Sequence, residues 1–503
     1  MEKLSAVKRA GLMLGMSQDG RRVYFNGNDT HAVVIGATRC GKTRHVVLPT
    51  VCLLALAGEN IIASDPKGEL YLYTHPFLER LGYEVITLDF KNPLRSNQYN
   101  FLQPVIDAAN LGNIPLAVTR ARDLAAALVK NDRTERIWTD GERSVLTAGI
   151  LAVVVDNKRN PQYQNMTNVY EFLANMCKPV GGDRPRLPLT SYLEDIGEGH
   201  PARAATDISM IAPSKMRGSF YTSTLVTLSL FTDPLIYNMT CATDFDLYAT
   251  GKRKRAIFII LPDHKDTYYP IASLFVSQHY QSLVEISDQN GNRLPRRVNF
   301  VLDEFGNFVE IPDFDKAVTV GGGRGIRYNL FLQDFNQLAK QYDEKAAKII
   351  RSNCETWIYL QTDDPETLRE LSEKLGKYTI KSPSLSGSTG GNSSASYNYT
   401  SRDLLMPDEI KRIKRPYQLV TSRNDPAVMY APDLSKTIFN HMLGLGDEDF
   451  NRQLIIRRNF SRPERPVEKI ERWGIWNRYI SERPVMRQSP AACRGSYDFE
   501  NMG

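Results

Sequence analysis

The sequence predicts an α/β protein built on a mostly parallel sheet and interrupted by an all-helical insertion. Three observations point to it. Short strand-like runs alternate with helical segments along much of the chain. A glycine-rich phosphate-binding pattern, Gly36-Ala-Thr-Arg-Cys-Gly-Lys-Thr43, follows one such strand and opens a helix. A second acidic element, Asp303-Glu304, closes another strand 260 positions after Thr43, far more than one or two βα crossovers require, which calls for an inserted domain.

Taken in order, the run Ala32-Val-Val-Ile35 is a buried strand leading into Gly36, and the stretch from Lys42 to Ala57 is helix-permissive. Further strands are expected at Asn60–Ser64, Glu84–Leu88, Ala256–Leu261, Asn299–Leu302, Tyr328–Leu332 and Thr356–Leu360. From about residue 115 to residue 248 the texture turns Ala- and Leu-rich, as in Ala121–Val129 and Glu142–Val155, and reads as helices. The run Ser382–Ser396 is small and polar, so a mobile loop is expected there. From Arg452 to Gly503 eleven Lys/Arg stand against six Asp/Glu without a sustained apolar period, which predicts an extended basic arm. The expected organisation is a nucleotide-binding domain in two parts, 1–115 and 249–450, an all-α insertion at 116–248 and a tail at 451–503.

The pattern at 36–43 carries specific chemistry. Its glycines let backbone N–H groups close round phosphate oxygens, Lys42 meets the β/γ-phosphates, Thr43 ligates magnesium, and the following helix aims its dipole at the same anion. The whole loop, Gly36, Ala37, Thr38, Arg39, Cys40, Gly41, Lys42 and Thr43, is therefore assigned to nucleotide. Asp303 is expected to hold the magnesium through water and Glu304 to polarise the water that attacks ATP. Gly321-Gly-Gly-Arg324-Gly then offers either an arginine that reaches a neighbouring subunit's γ-phosphate or a flexible turn bearing a solvated cation. Gln333, at a strand end on the sheet's carboxyl side, senses the γ-phosphate or the attacking water, or is an ordinary polar strand end. Asp65-Pro-Lys-Gly-Glu69 sits on that edge too, bordering the nucleotide or forming a plain turn.

Composition removes other classes. With 503 residues, 42% hydrophobic and 24% charged, the chain has material for a real core, and its net charge of +6 permits nucleic-acid contact without arguing for it. Cys40, Cys52, Cys177, Cys241, Cys354 and Cys493 are scattered, with no pair at zinc-ligand spacing and no disulfide framework, so a reducing compartment is expected. The longest apolar stretches, Val46–Ala57 and Val145–Val155, are too short to cross a bilayer, and the N-terminus has no secretory core. The body is expected in the cytosol.

The motifs together resemble one family. His31-Ala-Val-Val-Ile-Gly-Ala-Thr-Arg-Cys-Gly-Lys-Thr43, Ser64-Asp-Pro-Lys-Gly-Glu-Leu70, Val301-Leu-Asp-Glu-Phe305, the Gly-Arg-Gly to Gln333 stretch and Leu404-Leu-Met-Pro-Asp-Glu-Ile410 look like the type IV secretion system coupling proteins, the TraG/TraD-like motors of bacterial conjugation. The resemblance covers roughly residues 10–440. It implies a RecA-like P-loop NTPase domain interrupted by an all-α domain and assembled into hexamers. ATP hydrolysis with Mg2+ would then drive delivery of DNA and its bound relaxase to a secretion channel. Such a chain works at the cytoplasmic face of the membrane with the channel's ATPases and membrane components. The resemblance carries Lys42 and Thr43 to nucleotide and magnesium, Asp303 and Glu304 to hydrolysis, Arg324 to the trans-acting arginine and Gln333 to sensing. Two departures stand out: the family's usual membrane helices before the motor are not seen here, and Arg39-Cys40 replaces the common Gly-Ser.

Other readings remain open on the residues alone. One is a substrate receptor in which nucleotide serves to stabilise assembly, and another is a DNA pump for chromosome segregation or repair. Basic clusters at Lys252–Arg255, Arg293 with Arg296-Arg297, Lys411–Arg415 and Arg457-Arg458 are each a solvated turn or a DNA contact multiplied by a ring.

Overall fold

The computed structural model describes residues 8–129, 136–181, 185–262, 264–387, 393–423 and 425–480. Thirteen strands lie among them: β1 Leu12–Met16, β2 Val23–Asn26, β3 His31–Gly36, β4 Asn60–Asp65, β5 Glu84–Asp89, β6 Arg255–Ile260, β7 Val298–Leu302, β8 Ile326–Leu332, β9 Cys354–Gln361, β10 Lys377–Gly387, β11 Ser393–Asp403, β12 Tyr417–Thr421 and β13 Ala427–Tyr430. One sheet takes all but β10 and β11, in the order β2-β1-β13-β12-β9-β3-β8-β7-β4-β6-β5. From β9 to β5 every pairing is parallel, and from β12 to β2 every pairing is antiparallel.

The parallel strands are buried along most or all of their length, because both faces of a parallel sheet are covered. Pleating sends alternate residues of β3 to opposite sides: Val33 and Ile35 join one core, Ala32 and Val34 the other. Strand β7 divides likewise, with Phe300 and Leu302 on the first side and Val301 on the second. The first core continues into a body of helices running from Gln103–Asn110 to Pro234–Thr240, so the helical chain begins before residue 116. Several of these helices start where proline occupies the first turn or an Asn or Asp accepts a backbone N–H, as Asn113 does from Leu116 and Asn165 from Asn168. The central helix, Arg136–Asp156, packs closely enough that a Cβ on Gly141 would lie 2.4 Å from the Phe220 ring.

Two expectations are corrected. The segment 382–396 is not a plain loop: β10 and β11 pair from Lys377↔Asp403 to Gly387↔Ser393, with residues 388–392 outside the described part. The serine-rich composition hid the pairing, since the ladder is satisfied by backbone groups and demands little of the side chains. Nor is the chain after residue 451 a free arm. Glu448–Phe460 is a helix, and the following residues to 480 lie docked across both parts of the protein, while 481–503 fall outside the described residues. Arg462 pairs with the fully buried Asp89, donates to the Arg95 carbonyl at 2.9 Å and sits over the Tyr71 ring. Trp473 stacks on Phe172 and its backbone N–H donates to Asn168 Oδ1 at 2.9 Å, while Trp476 and Tyr479 are buried in the helical side.

Because Asp89 is wholly buried, removing its cation leaves a costly uncompensated charge. Arg462→Ala is expected to lower unfolding free energy by about 3 kcal/mol in denaturant titration. An unchanged midpoint and slope would mean that the segment does not clasp the sheet.

Candidate active site

The phosphate-binding pattern hangs from the carboxyl end of β3. The Ala37 N–H donates to the Gln361 carbonyl at 2.6 Å, and the chain then doubles back through Arg39 at φ 65° and Gly41 at φ 92°. Gly36 admits no side chain, because its Cβ would lie 2.4 Å from Cys40 Sγ. The helix behind the loop opens with a wide π turn, Thr43–Val47, before the α-helix Leu48–Leu56. Pro49 has no N–H to give the His45 carbonyl, so an ordinary α turn would leave that acceptor without its helical partner. Lys42 is buried, and its Nζ donates to the Gly36 carbonyl at 2.6 Å while standing 3.9 Å from Glu304 Oε1.

Asp303 and Glu304 follow β7 directly. Asp303 Oδ2 accepts from the Thr43 hydroxyl at 3.3 Å, Oδ1 accepts the Glu304 N–H at 3.0 Å, and the Asp303 carbonyl accepts from Ser64 Oγ at 2.7 Å. Burial, reinforced by the neighbouring Glu304 charge, pushes the Asp303 carboxyl up to about 6. Glu304 itself is left-handed at φ 50° and ψ 44°, a conformation rare for a residue with a side chain. Its carboxylate is held on one side by Gln333 Nε2 at 3.1 Å and faces Lys42 on the other. Asp65, at the end of β4, is buried beside them; desolvation raises it to about 7 although its Oδ2 accepts the Tyr71 N–H at 2.9 Å.

The structure thus brings Ala37, Thr38, Arg39, Gly41, Lys42, Thr43, Asp303, Glu304 and Gln333 to one cavity of about 590 Å³, with Asp65 on its wall, while Gly36 and Cys40 of the same loop do not line it. It does not bring Arg324 there. The three glycines before Arg324 belong to the helix Phe314–Arg324 rather than to a flexible turn, and that helix leads into the amino end of β8. Arg324 therefore sits at the opposite edge of the sheet, donating to Ser287 Oγ at 2.6 Å and paired with Asp288. Cys40 is buried, and desolvation pushes its thiol up, against thiolate chemistry.

Residues that sequence reasoning missed close the other flank. Arg44 grips Asp433 with two bonds of 2.7 Å, which hold that carboxyl well below the usual range, and His45 Nδ1 lies 2.6 Å from the Ala431 carbonyl. The His45 ring packs so closely on Gly41 that a Cβ there would lie 2.5 Å from it. Arg415 also lines the cavity. Arg44 and His45 follow the loop directly, but their partners Asp433 and Ala431, and Arg415, carry no local motif for this site and arrive with the antiparallel pair β12–β13.

The donor set fits a magnesium ion. The Thr43 hydroxyl is a hard oxygen that would ligate the ion directly, the Asp303 carboxylate beside it would hold it through a bound water, and magnesium normally draws its other oxygens from phosphate and water.

A loop of this geometry on β3, with acids on β7 one strand beyond its neighbour β8, defines a RecA-like P-loop NTPase fold. The chain belongs to the family described as type IV secretory system conjugative DNA transfer, whose sequence profile matches residues 2–432. It is 28% identical over 439 residues to the protein VirD4 of Rhizobium radiobacter, covering 83% of this chain and 60% of that one. It is 27% identical over 433 residues to the conjugal transfer protein TraG of Escherichia coli, covering 81% and 66%. The chain thus spans 60% of the length of that VirD4. Among solved structures it is similar to the bacterial conjugative coupling protein TrwBdeltaN70, with a TM-score of 0.61 at 18% identity over 87% of this chain and 92% of that one. The coupling protein TrwB in complex with ADP and Mg2+ also gives 0.61, at 17% identity over 86% and 91%.

Asp65 titrates near 4 when unfolded and near 7 when folded. Above pH 7 its buried charge exacts the full desolvation cost; the cost fades as pH falls through 7 and is gone below about 4. Asp65→Asn is therefore expected to melt above the wild type at pH 8, with the gap narrowing by pH 5. A gap that stays constant or widens toward pH 5 contradicts the assigned burial.

Proposed function

We propose that this chain is the nucleotide-driven motor of a conjugative coupling protein, hydrolysing ATP to deliver DNA, with its bound relaxase, to a type IV secretion channel. One observation carries the reading: Lys42 and Thr43 meet Asp303 and Glu304 within 3.9 Å although they are far apart in sequence. The family membership supports the cargo, and the TrwB structures holding ADP with Mg2+ or a non-hydrolysable ATP analogue support the ligand.

In the proposed reaction Lys42 leaves the Gly36 carbonyl for the β/γ-phosphate oxygens and neutralises charge that grows there in the transition state. Glu304 accepts a proton from the attacking water as its oxygen bonds to the γ-phosphorus and the bond to ADP breaks. Gln333, already bonded to Glu304, orients that carboxylate and the water. Magnesium, when bound at Thr43 and Asp303, supplies positive charge to the phosphate oxygens.

A hexameric ring is part of the proposal. Arg324 serves a neighbour's site in it only by leaving Asp288 and Ser287. The basic clusters contribute unequally to a DNA path. Arg255 is committed to Glu84, Arg297 to Asp29 and Glu59, and Arg293 to Asp29, so these cations chiefly hold the fold. No helix among the described residues is long and apolar enough to cross a membrane. Work at the cytoplasmic face with channel ATPases and membrane components completes the proposal.

Glu304→Gln is expected to keep ATP affinity while lowering DNA-stimulated turnover by about 100-fold or more, whereas Lys42→Ala loses both. Steady-state phosphate release and equilibrium ATP binding check it. Full turnover in Glu304→Gln rejects the assigned base, and wild-type turnover that DNA leaves unchanged at low salt rejects DNA as cargo.

A further inference from the structure

The hydrolytic groups all approach the loop from one side. In the sheet β3 has β8 and then β7 on that side, and these strands deliver Gln333, Asp303 and Glu304. The other side, β9 and then β12, delivers a different cation. β12 runs antiparallel to β9, with Leu419 opposite Tyr359, and Tyr359 in turn is level with Ile35 of β3. The residues just before β12 therefore stand above the carboxyl edge, beside the loop, and Arg415 is among them.

Three observations place its guanidinium. It lines the same cavity as Lys42 and Thr43, a Cβ on Gly41 would lie 3.5 Å from its Nη1, and its charge acts on both the Cys40 thiol and the His45 ring. Among the described residues it has no ion pair or hydrogen bond, and its side chain is exposed to the cavity and solvent. Arg44 nearby is different, since its Nε and Nη2 donate side by side to the two carboxylate oxygens of Asp433. A planar cation left without a carboxylate beside a phosphate cradle is suited to bidentate anion contact.

We propose that Arg415 binds the diphosphate portion of the nucleotide, the part ADP and ATP share, from the flank opposite the hydrolytic acids. This rests on reading the cavity as a nucleotide site. The contact is made in the same chain, so it is distinct from any arginine a neighbour supplies. It also ties nucleotide to the β12–β13 segment, which holds the loop's helix through Ala431 and Asp433.

The test is calorimetric binding of ADP and of a non-hydrolysable ATP analogue, each with magnesium, to the full chain and to Arg415→Ala, Arg415→Lys and Lys42→Ala. Arg415→Ala is expected to lose about tenfold or more in affinity, by the same factor for both ligands, and Arg415→Lys to recover part of it. In turnover the loss falls on KM more than on kcat. Wild-type affinity in Arg415→Ala, with binding lost in Lys42→Ala, overturns this assignment alone. A loss confined to the ATP analogue also overturns it, because the group would then meet the γ-phosphate. Failure of the wild-type chain to bind ADP overturns the nucleotide reading and this contact with it. Thermal melting of Arg415→Lys alongside the wild type separates lost contact from lost fold.

Discussion

In-register parallel pairing of β3, β8 and β7 is the constraint on which the rest of the site depends. Ile35 stands level with Leu332, and Leu330 with Leu302, so the loops that follow these strands emerge side by side. Parallel strands share one carboxyl edge, and that edge collects the residues that come just after each strand. A slip of one residue in either pairing would send to each of the two cores the side chains now packed in the other, so packing on both faces fixes the register that positions Thr43 against Asp303. Packing and chemistry are thus one requirement here.

The site stores charge in mutually held groups. Lys42 rests on a carbonyl and faces Glu304; Glu304 rests on Gln333; Asp303 rests on Thr43 and a backbone N–H. Buried ionisable groups are costly unless paired, and a polyphosphate offers Lys42 a better partner than a neutral carbonyl. The left-handed backbone of Glu304 belongs to the same economy, since it is sustained by the surrounding contacts. On the other flank the antiparallel strands act as a clamp: β12–β13 places Ala431 and Asp433 against His45 and Arg44, fastening the helix that carries the loop.

Much of this was legible in the sequence. All seven parallel strands announce themselves as short, mainly apolar stretches because both their faces are buried, and the loop and acid pair are local motifs at strand ends. What was not legible depends on distant contacts. β1, β2, β12 and β13 are four or five residues long and lie in the antiparallel part of the sheet, too short for a periodic signal. The β10–β11 hairpin is rich in serine and carries no sustained apolar alternation. Gly321 to Gly323 carry no helical signal in sequence, yet tertiary packing keeps them helical: Gly321 lies against Ile326, and a Cβ on Gly322 would meet the Asp29 carbonyl at 2.6 Å. Asp433 and Arg415 carry no motif because only the sheet order brings them to the loop.

The central claim is that the cradle and the distant acids act on one ligand. Crystals grown with a non-hydrolysable ATP analogue and Mn2+ test it directly, because the anomalous signal of manganese locates the cation. The account predicts one peak between the Thr43 hydroxyl and the Asp303 carboxylate, with the terminal phosphate lying toward Glu304 and Gln333. A peak elsewhere, or nucleotide bound away from Lys42, would contradict it.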